Sequence, residues 1–312
     1  MAPQTLQVLA LASVFIAFAV AEMRLGRFND PRGSRDDAKL DIAGGAALLL
    51  GSLTVLNLAQ ALAGLAWPDA RQTLADWPVW LMLLCFFLAD DLVQYLWHRL
   101  CHTSVLWPLH RPHHTAPYVN VRVAFRNNAF YYLTLPGLWL SGLLVYLGMG
   151  WVYVGYTTLK LTVIMSAHSA VRWDEFLFRR RALRPVAWVL ERLISTPATH
   201  AAHHALSEAD GIGRHTGNYG NLLFIWDVLL GTAYFTRRYP KAYGLPETHA
   251  HTQAPWLEQW LYPAVQRPLL LHKTPNSVHL SETPPAVAPI PIASTFRPND
   301  MDEKVAPEGA TF

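Results

Sequence analysis

Long stretches of almost uncharged sequence restrict the fold of this chain more than any other feature. Residues 4–23 (QTLQVLALASVFIAFAVAEM), Ile42–Trp67 and Trp77–Trp97 each approach the ~20 apolar residues that cover ~30 Å of hydrocarbon. Two more runs, Phe130–Met149 and Trp151–Ala170, meet at Gly148 and Gly150 as a helical hairpin would, either spanning or re-entering. The expected fold class is therefore all-α, an integral membrane helical bundle of about four to five apolar spans. The first run mimics a signal peptide at Ala19 and Ala21, but it lacks a positive n-region and five basic residues follow it, so it reads as an anchoring helix. Only 15% of the residues are charged, against roughly 25% in soluble domains.

Charge in the loops orients the bundle. Arg24, Arg27, Arg32, Arg35 and Lys39 follow the first span, whereas the loop between the second and third holds only Arg71. By the positive-inside rule the N-terminus lies outside. Alternation then brings residue 97, the end of the hairpin near residue 170 and the arginines at 172, 179–181 and 184 to the cytoplasmic side. The organisation read from the sequence is N-terminal membrane helices over 1–76, a histidine-bearing region over 77–245, a C-terminal extension over 246–272 and a proline-rich disordered tail over 273–312. The net charge of +3 comes from clustered arginines with no interleaved aromatics, which argues against nucleic acid. Cys85 and Cys101 lack C-x-x-C spacing and suggest neither a disulfide framework nor thiolate ligation.

Histidine placement carries the chemistry. Fourteen histidines include the clusters HRLCH (His98, His102), HRPHH (His110, His113, His114) and HAAHH (His200, His203, His204), all of which the topology places on one face. Spacings of three and four on a helix bring side chains to the same face, and neutral imidazole is the commonest metal ligand. Eight clustered histidines exceed what one tetrahedral site uses, so the count implies two metals. H-E-x-x-H and E-x-x-H motifs are absent, and imidazole suits iron, zinc and copper alike. His168, alone at the inner end of the hairpin, is a ligand, a neighbour of the ligands or a packing residue. His215, His249, His251, His272 and His279 are left out of the site. Pro112 suggests that the second cluster begins at a turn or helix start.

Asp91, Tyr95, His98 and His102 would align on one helical stripe. A carboxylate that orients a ligating imidazole is the expected companion of such a site, and Asp91, with Asp90 or Asp227 sharing the role, is the candidate. The alternative is that these acids pair with cations such as Arg99. GIGRHTG (Gly211–Gly217) misses the dinucleotide glycine pattern, with no preceding strand, so nicotinamide binding is rejected.

ADDLVQYLWHRLCHTSVLWPLHRPHH, then STPATHAAHH and NYGNLLFIWDVLLGT, resemble the fatty acid hydroxylase superfamily, also called the sterol desaturase family, over roughly residues 80–245. The resemblance implies a membrane-bound non-haem di-iron oxidoreductase that uses O2 and external electrons to hydroxylate or desaturate a lipid, be it sterol, fatty acyl or ether lipid. It implies two iron ions held by His98, His102, His110, His113, His114, His200, His203 and His204, with His168 matching a further histidine often present before the third cluster. Many fatty acid hydroxylases carry another histidine where this chain has VRVAFRNNAF (Val121–Phe130), and its absence leans toward the sterol-desaturase-like or ether-lipid-cleaving branches. No haem, iron–sulfur or flavin motif is visible, so an external donor such as a ferredoxin, a rubredoxin or cytochrome b5 with its reductase is expected. A zinc-dependent membrane hydrolase and a non-catalytic metal carrier are the competing classes; the first lacks a glutamate base beside the clusters, the second a polar path through the spans. The expected location is the bacterial inner membrane, because no lysine-rich C-terminal retention signal appears, with the metal site facing the cytoplasm.

Overall fold

A computed structural model describes residues 3–246 and 254–265. The proline-rich tail and His249, His251, His272 and His279 lie outside the described residues. Four segments are long and apolar enough to cross a membrane: Leu6–Arg24, Arg35–Ala66, Val79–Cys101 and Pro136–His168. They belong to α1 (Pro3–Arg24), α2 (Arg35–Ala66), α3 (Val79–Cys101) and a bent pair, α5 (Pro136–Leu144) and α6 (Gly150–His168). Shorter helices build the cap: α4 (Trp107–His114), α7 (Trp173–Arg179), α8 (Arg184–Leu193), α9 (Pro197–His203), α10 (Ile225–Leu229) and α11 (Trp256–Leu261). Among the described residues β structure is limited to two isolated bridges, Ile194 with Leu223 and Ala205 with Tyr243. The protein is an all-helical bundle with candidate membrane spans, as its sequence implied.

The spans turn leucine outward and small residues inward. Leu49, Leu50, Leu53 and Leu65 of α2 are exposed while Gly44, Ala47, Gly51, Ala59 and Ala63 are buried, the pattern of a helix that meets lipid on one side and packs closely on the other. Gly142 of α5 shows how closely, since a Cβ there would stand 2.6 Å from that of Ala59. α3 lies between α5 and α6. Gly137 of α5 abuts Asp90, and on the other side Phe86 stacks on Tyr156 of α6 with ring centroids 5.2 Å apart. Met82, Phe86, Met149, Val152, Tyr156 and Val163 form the core between them.

Three boundaries differ from the sequence-based expectation. α2 begins at Arg35 and not at residue 42, because Ser34 and Asp37 form a capping box, which satisfies backbone donors ahead of the apolar run. The hairpin begins at Pro136 and not at residue 130: a single helical turn, Tyr131–Thr134, ends at the extended Leu135, as the residue before proline prefers. Its two arms meet at Gly148 alone, where φ is +116° and a Cβ would lie 2.7 Å from the backbone nitrogen of Ala75. Finally, Pro112 lies inside α4 and does not start it. In so short a helix its missing N–H costs a single bond.

One end of the bundle is tied together by polar contacts. Glu22 at the foot of α1 is fully buried and accepts from the backbone N–H groups of Val121 and Ala170 and from the Ser169 hydroxyl. Asp41 in α2 pairs with Arg122 and Arg126, and Arg126 also reaches Asp37 at 2.8 Å. The end of α1, the start of α2 and the ends of α3 and α6 therefore meet at one level, and the histidine-bearing cap sits on them.

Candidate metal centre

Nine histidines converge there, all buried: His98 and His102 at the end of α3, His110, His113 and His114 on α4, His168 at the end of α6, and His200, His203 and His204 on and just after α9. They divide into two groups able to hold a metal ion, His98, His102, His110, His114 and His203 in one and His113, His168, His200 and His204 in the other; within each, one ligand atom per ring lies within 4.8 Å of the rest. The structure thus brings His168 into the second group and leaves His215 outside, its Nε2 toward the Ala205 carbonyl.

Ring orientation is set from outside the shell. Nδ1 of His98 faces the carbonyl of Tyr219 at 2.7 Å, that of His113 the carbonyl of Arg126 at 3.1 Å, that of His168 the carbonyl of Ile164 at 2.8 Å and that of His203 the carbonyl of Gly217 at 2.8 Å. His110 Nδ1 faces Oδ1 of Asn127 at 2.9 Å. A carbonyl only accepts, so each of these Nδ1 atoms carries the proton and the inward Nε2 presents a lone pair.

The inward atoms confront one another. Nε2 of His98 and His203 are 3.1 Å apart, and Nε2 of His113 and His168 are 3.2 Å apart, one such pair in each group. Neither pair has a proton to share while its rings are neutral, and burial holds His113 and His203 well below the usual imidazole range, as it does His102, His110, His114, His200 and His204. Two lone pairs pressed together in a dry interior repel unless a cation stands between them. Nitrogens bound ~2.0–2.1 Å from one metal at right angles stand ~2.9 Å apart, close to the 2.8 to 3.2 Å Nε2 separations of His200–His168, His204–His200 and His114–His110. Both ring nitrogens of His102 are buried without a hydrogen-bond partner, a costly state that ligation would relieve. The residues fit a pair of metal ions.

The three carboxylates expected to orient the rings lie at one remove from them. Among the described residues none of the three accepts a hydrogen bond from these rings. Asp91 instead accepts from the Leu223 backbone and the Trp226 indole, and Asp227 from the backbones of Tyr219 and Gly220 and the Thr232 hydroxyl. Both fix the turn whose Tyr219 carbonyl orients His98. Burial pushes the Asp227 carboxyl up to about 6. Asp90 pairs with Lys160 at 2.6 Å, not with Arg99. Asn127 and the Arg126 carbonyl were not singled out as site residues; their one signal was the N-N pair in the stretch where a further histidine is common.

The NYG and WD…GT strings become legible as a brace. Asn218 has a φ of +59° and its side chain joins the Thr199 carbonyl to the backbone of Tyr234. A Cβ at Gly220 would lie 2.7 Å from the Asp227 carboxylate. Tyr131, Trp107 and Tyr219 wall the imidazoles, with centroids 5.7 Å from His110, 5.4 Å from His102 and 5.5 Å from His98.

Residues 83–232 match the fatty acid hydroxylase family. Among curated proteins the chain is 27% identical over 165 residues to the alkylglycerol monooxygenase of Danio rerio, covering 50% of this chain and 30% of that one. It is 27% identical over 173 residues to the ornithine lipid hydroxylase OlsE of Rhizobium tropici, covering 53% and 44%. The match thus spans less than half the length of either relative. No solved structure matches.

Proposed function

Over residues 83–232 the chain belongs to the fatty acid hydroxylase family, and from that premise we propose that it is a membrane-bound, non-haem di-iron oxidoreductase acting on a lipid. The observation that carries the reading is the pair of buried all-imidazole groups, each with lone pairs facing across about 3 Å. His98, His102, His110, His114 and His203 would hold one iron, and His113, His168, His200 and His204 the other. Bound there, the two irons would supply O2 activation, in which two external electrons and two protons accompany insertion of one oxygen atom into a C–H bond and release of the other as water.

The chain's own residues set the conditions for that chemistry. The carbonyls of Tyr219, Arg126, Ile164 and Gly217 and the amide of Asn127 hold the proton on Nδ1 and turn Nε2 inward, while burial keeps the rings neutral. Trp107, Tyr131 and Tyr219 exclude water. Asp91 and Asp227 keep the Tyr219 turn in place. Exposed apolar faces on the spans would let a lipid approach through the bilayer, with 1–76 as anchoring helices, 77–245 as the catalytic region and the site on the cytoplasmic side of a bacterial inner membrane. Electrons would come from a separate donor. Both relatives are named for lipids, and as a monooxygenase and a hydroxylase they favour hydroxylation over desaturation.

The test is metal analysis with Mössbauer spectroscopy on detergent-purified protein grown in iron-57. The expected result is about two coupled irons per chain. His203→Ala in one group and His113→Ala in the other are each expected to lower bound iron by half or more and abolish lipid oxidation. Stoichiometric zinc under iron-replete growth would overturn the reading.

A further inference from the structure

Against the outer side of the second histidine group lies a cavity of about 150 Å3. Ala167 and Ser169, which flank His168, and Ala201, which follows His200, form part of its wall, so one layer of residues separates it from the imidazoles. Three guanidiniums line it, those of Arg27, Arg32 and Arg172, against a single carboxylate, Asp30. Asp30 is taken up by Arg32, at 2.7 and 2.8 Å. Arg27 donates one N–H to the Ala170 carbonyl at 2.8 Å, and Arg172 lies over the Tyr239 ring at 4.2 Å. Neither has a carboxylate partner among the described residues. Tyr243 shares the cavity wall with all three arginines.

Two guanidiniums with no carboxylate in direct contact, on separate chain segments, make a concave site for an anion, and the planar guanidinium fork suits phosphate and carboxylate. The position narrows the source. The cavity lies at the ends of α1 and α6, at the boundary of the candidate spans, and Met23 and Leu25, just before Arg27, are 52% and 53% exposed. Apolar surface beside a cationic pocket is the arrangement an acidic lipid meets at the headgroup level of a membrane.

We propose that this cavity binds the phosphate or carboxylate of a lipid headgroup through Arg27 and Arg172, and so selects an acidic lipid as the substrate of the neighbouring metal centre. The proposal rests on the lipid-oxidising reading above.

The experiment follows thermal unfolding of the full-length, iron-loaded protein in a neutral detergent. The probes are dioctanoyl phosphatidylglycerol, dioctanoylglycerol with the same tails and no anion, and inorganic phosphate. The expected result is a rise in Tm with phosphatidylglycerol, little with dioctanoylglycerol, and a tenfold or greater loss of apparent affinity in Arg27→Gln and Arg172→Gln. Arg172→Lys, which keeps the charge and loses the fork, is expected to fall between. An equal rise with phosphate alone would support the anion site and assign it to a free anion. No rise with either anion, or a phosphatidylglycerol response unchanged in the double variant, would overturn the proposal. Iron measured in the same samples separates the two readings: iron retained without an anion response defeats this inference alone, whereas absent iron defeats the metal assignment.

Discussion

At the scale of single residues, the centre is a problem of protons. Nine imidazoles share a dry volume, and five have their outer nitrogen placed against an oxygen that only accepts. The metal-free fold should therefore be acid-sensitive in a defined direction. Histidines of the unfolded chain titrate near 6.5, whereas burial holds His102, His110, His113, His114, His200, His203 and His204 well below that in the fold. Between those values the unfolded state binds more protons, so stability is full above about pH 6.5 and falls as pH drops, by up to ~1.4 kcal/mol per unit for each ring. Thermal melts of chelator-treated protein between pH 8 and 5.5 check this; a flat profile would contradict it. Asn127→Leu removes the one side-chain amide among the described residues that orients a ring, His110, and should weaken metal retention roughly 10- to 100-fold, read by chelator competition. The same residue marks a limit of sequence reading: nothing in the letters R-N-N says that one asparagine meets a ring 17 positions earlier.

At the scale of elements, glycines decide how closely the helices meet. Gly148 turns the hairpin in a left-handed conformation with Ala75 against it, while Gly45 on α2 has open space around its Cβ position. Gly148→Ala is expected to lower stability by roughly 1–3 kcal/mol, whereas Gly45→Ala should be neutral or stabilising by up to ~1 kcal/mol through helix propensity. Melting temperatures of the two variants in one detergent test the contrast, and equal effects would refute it. The apolar runs announced these helices, but their ends were set by contacts that hydropathy does not record. α2 extends to Arg35 through a local cap and through Asp37 and Asp41, which find Arg126 some 85 to 89 residues away. The π-helical turn Phe87–Leu92 in α3 adds width where Asp90 meets Lys160 and Asp91 meets the Trp226 turn, and its partners come from two later segments.

At the scale of the whole molecule, the bundle places every histidine-bearing helix at one end. Cysteines introduced singly by Pro31→Cys and Ala209→Cys, in a background lacking Cys85 and Cys101, should react with an impermeant maleimide from the cytoplasmic side of inverted vesicles. Asp69→Cys should react only from the opposite side. Labelling of all three from one side would refute an arrangement in which α1, α2 and α3 cross once each and the α5–α6 hairpin returns to the side it left.

The sequence by itself determined the helical class, the apolar spans, the histidine clusters able to hold metal and the family, because each rests on local pattern: apolar length, three- and four-residue spacing, and strings such as HRPHH. Only the tertiary structure decided how nine imidazoles divide into groups of five and four, which oxygens hold them and that a cationic cavity adjoins the second group. Those features join segments separated by tens to more than a hundred residues, and they exist only once the folded chain has excluded water and forced lone pairs and charges to find partners across it.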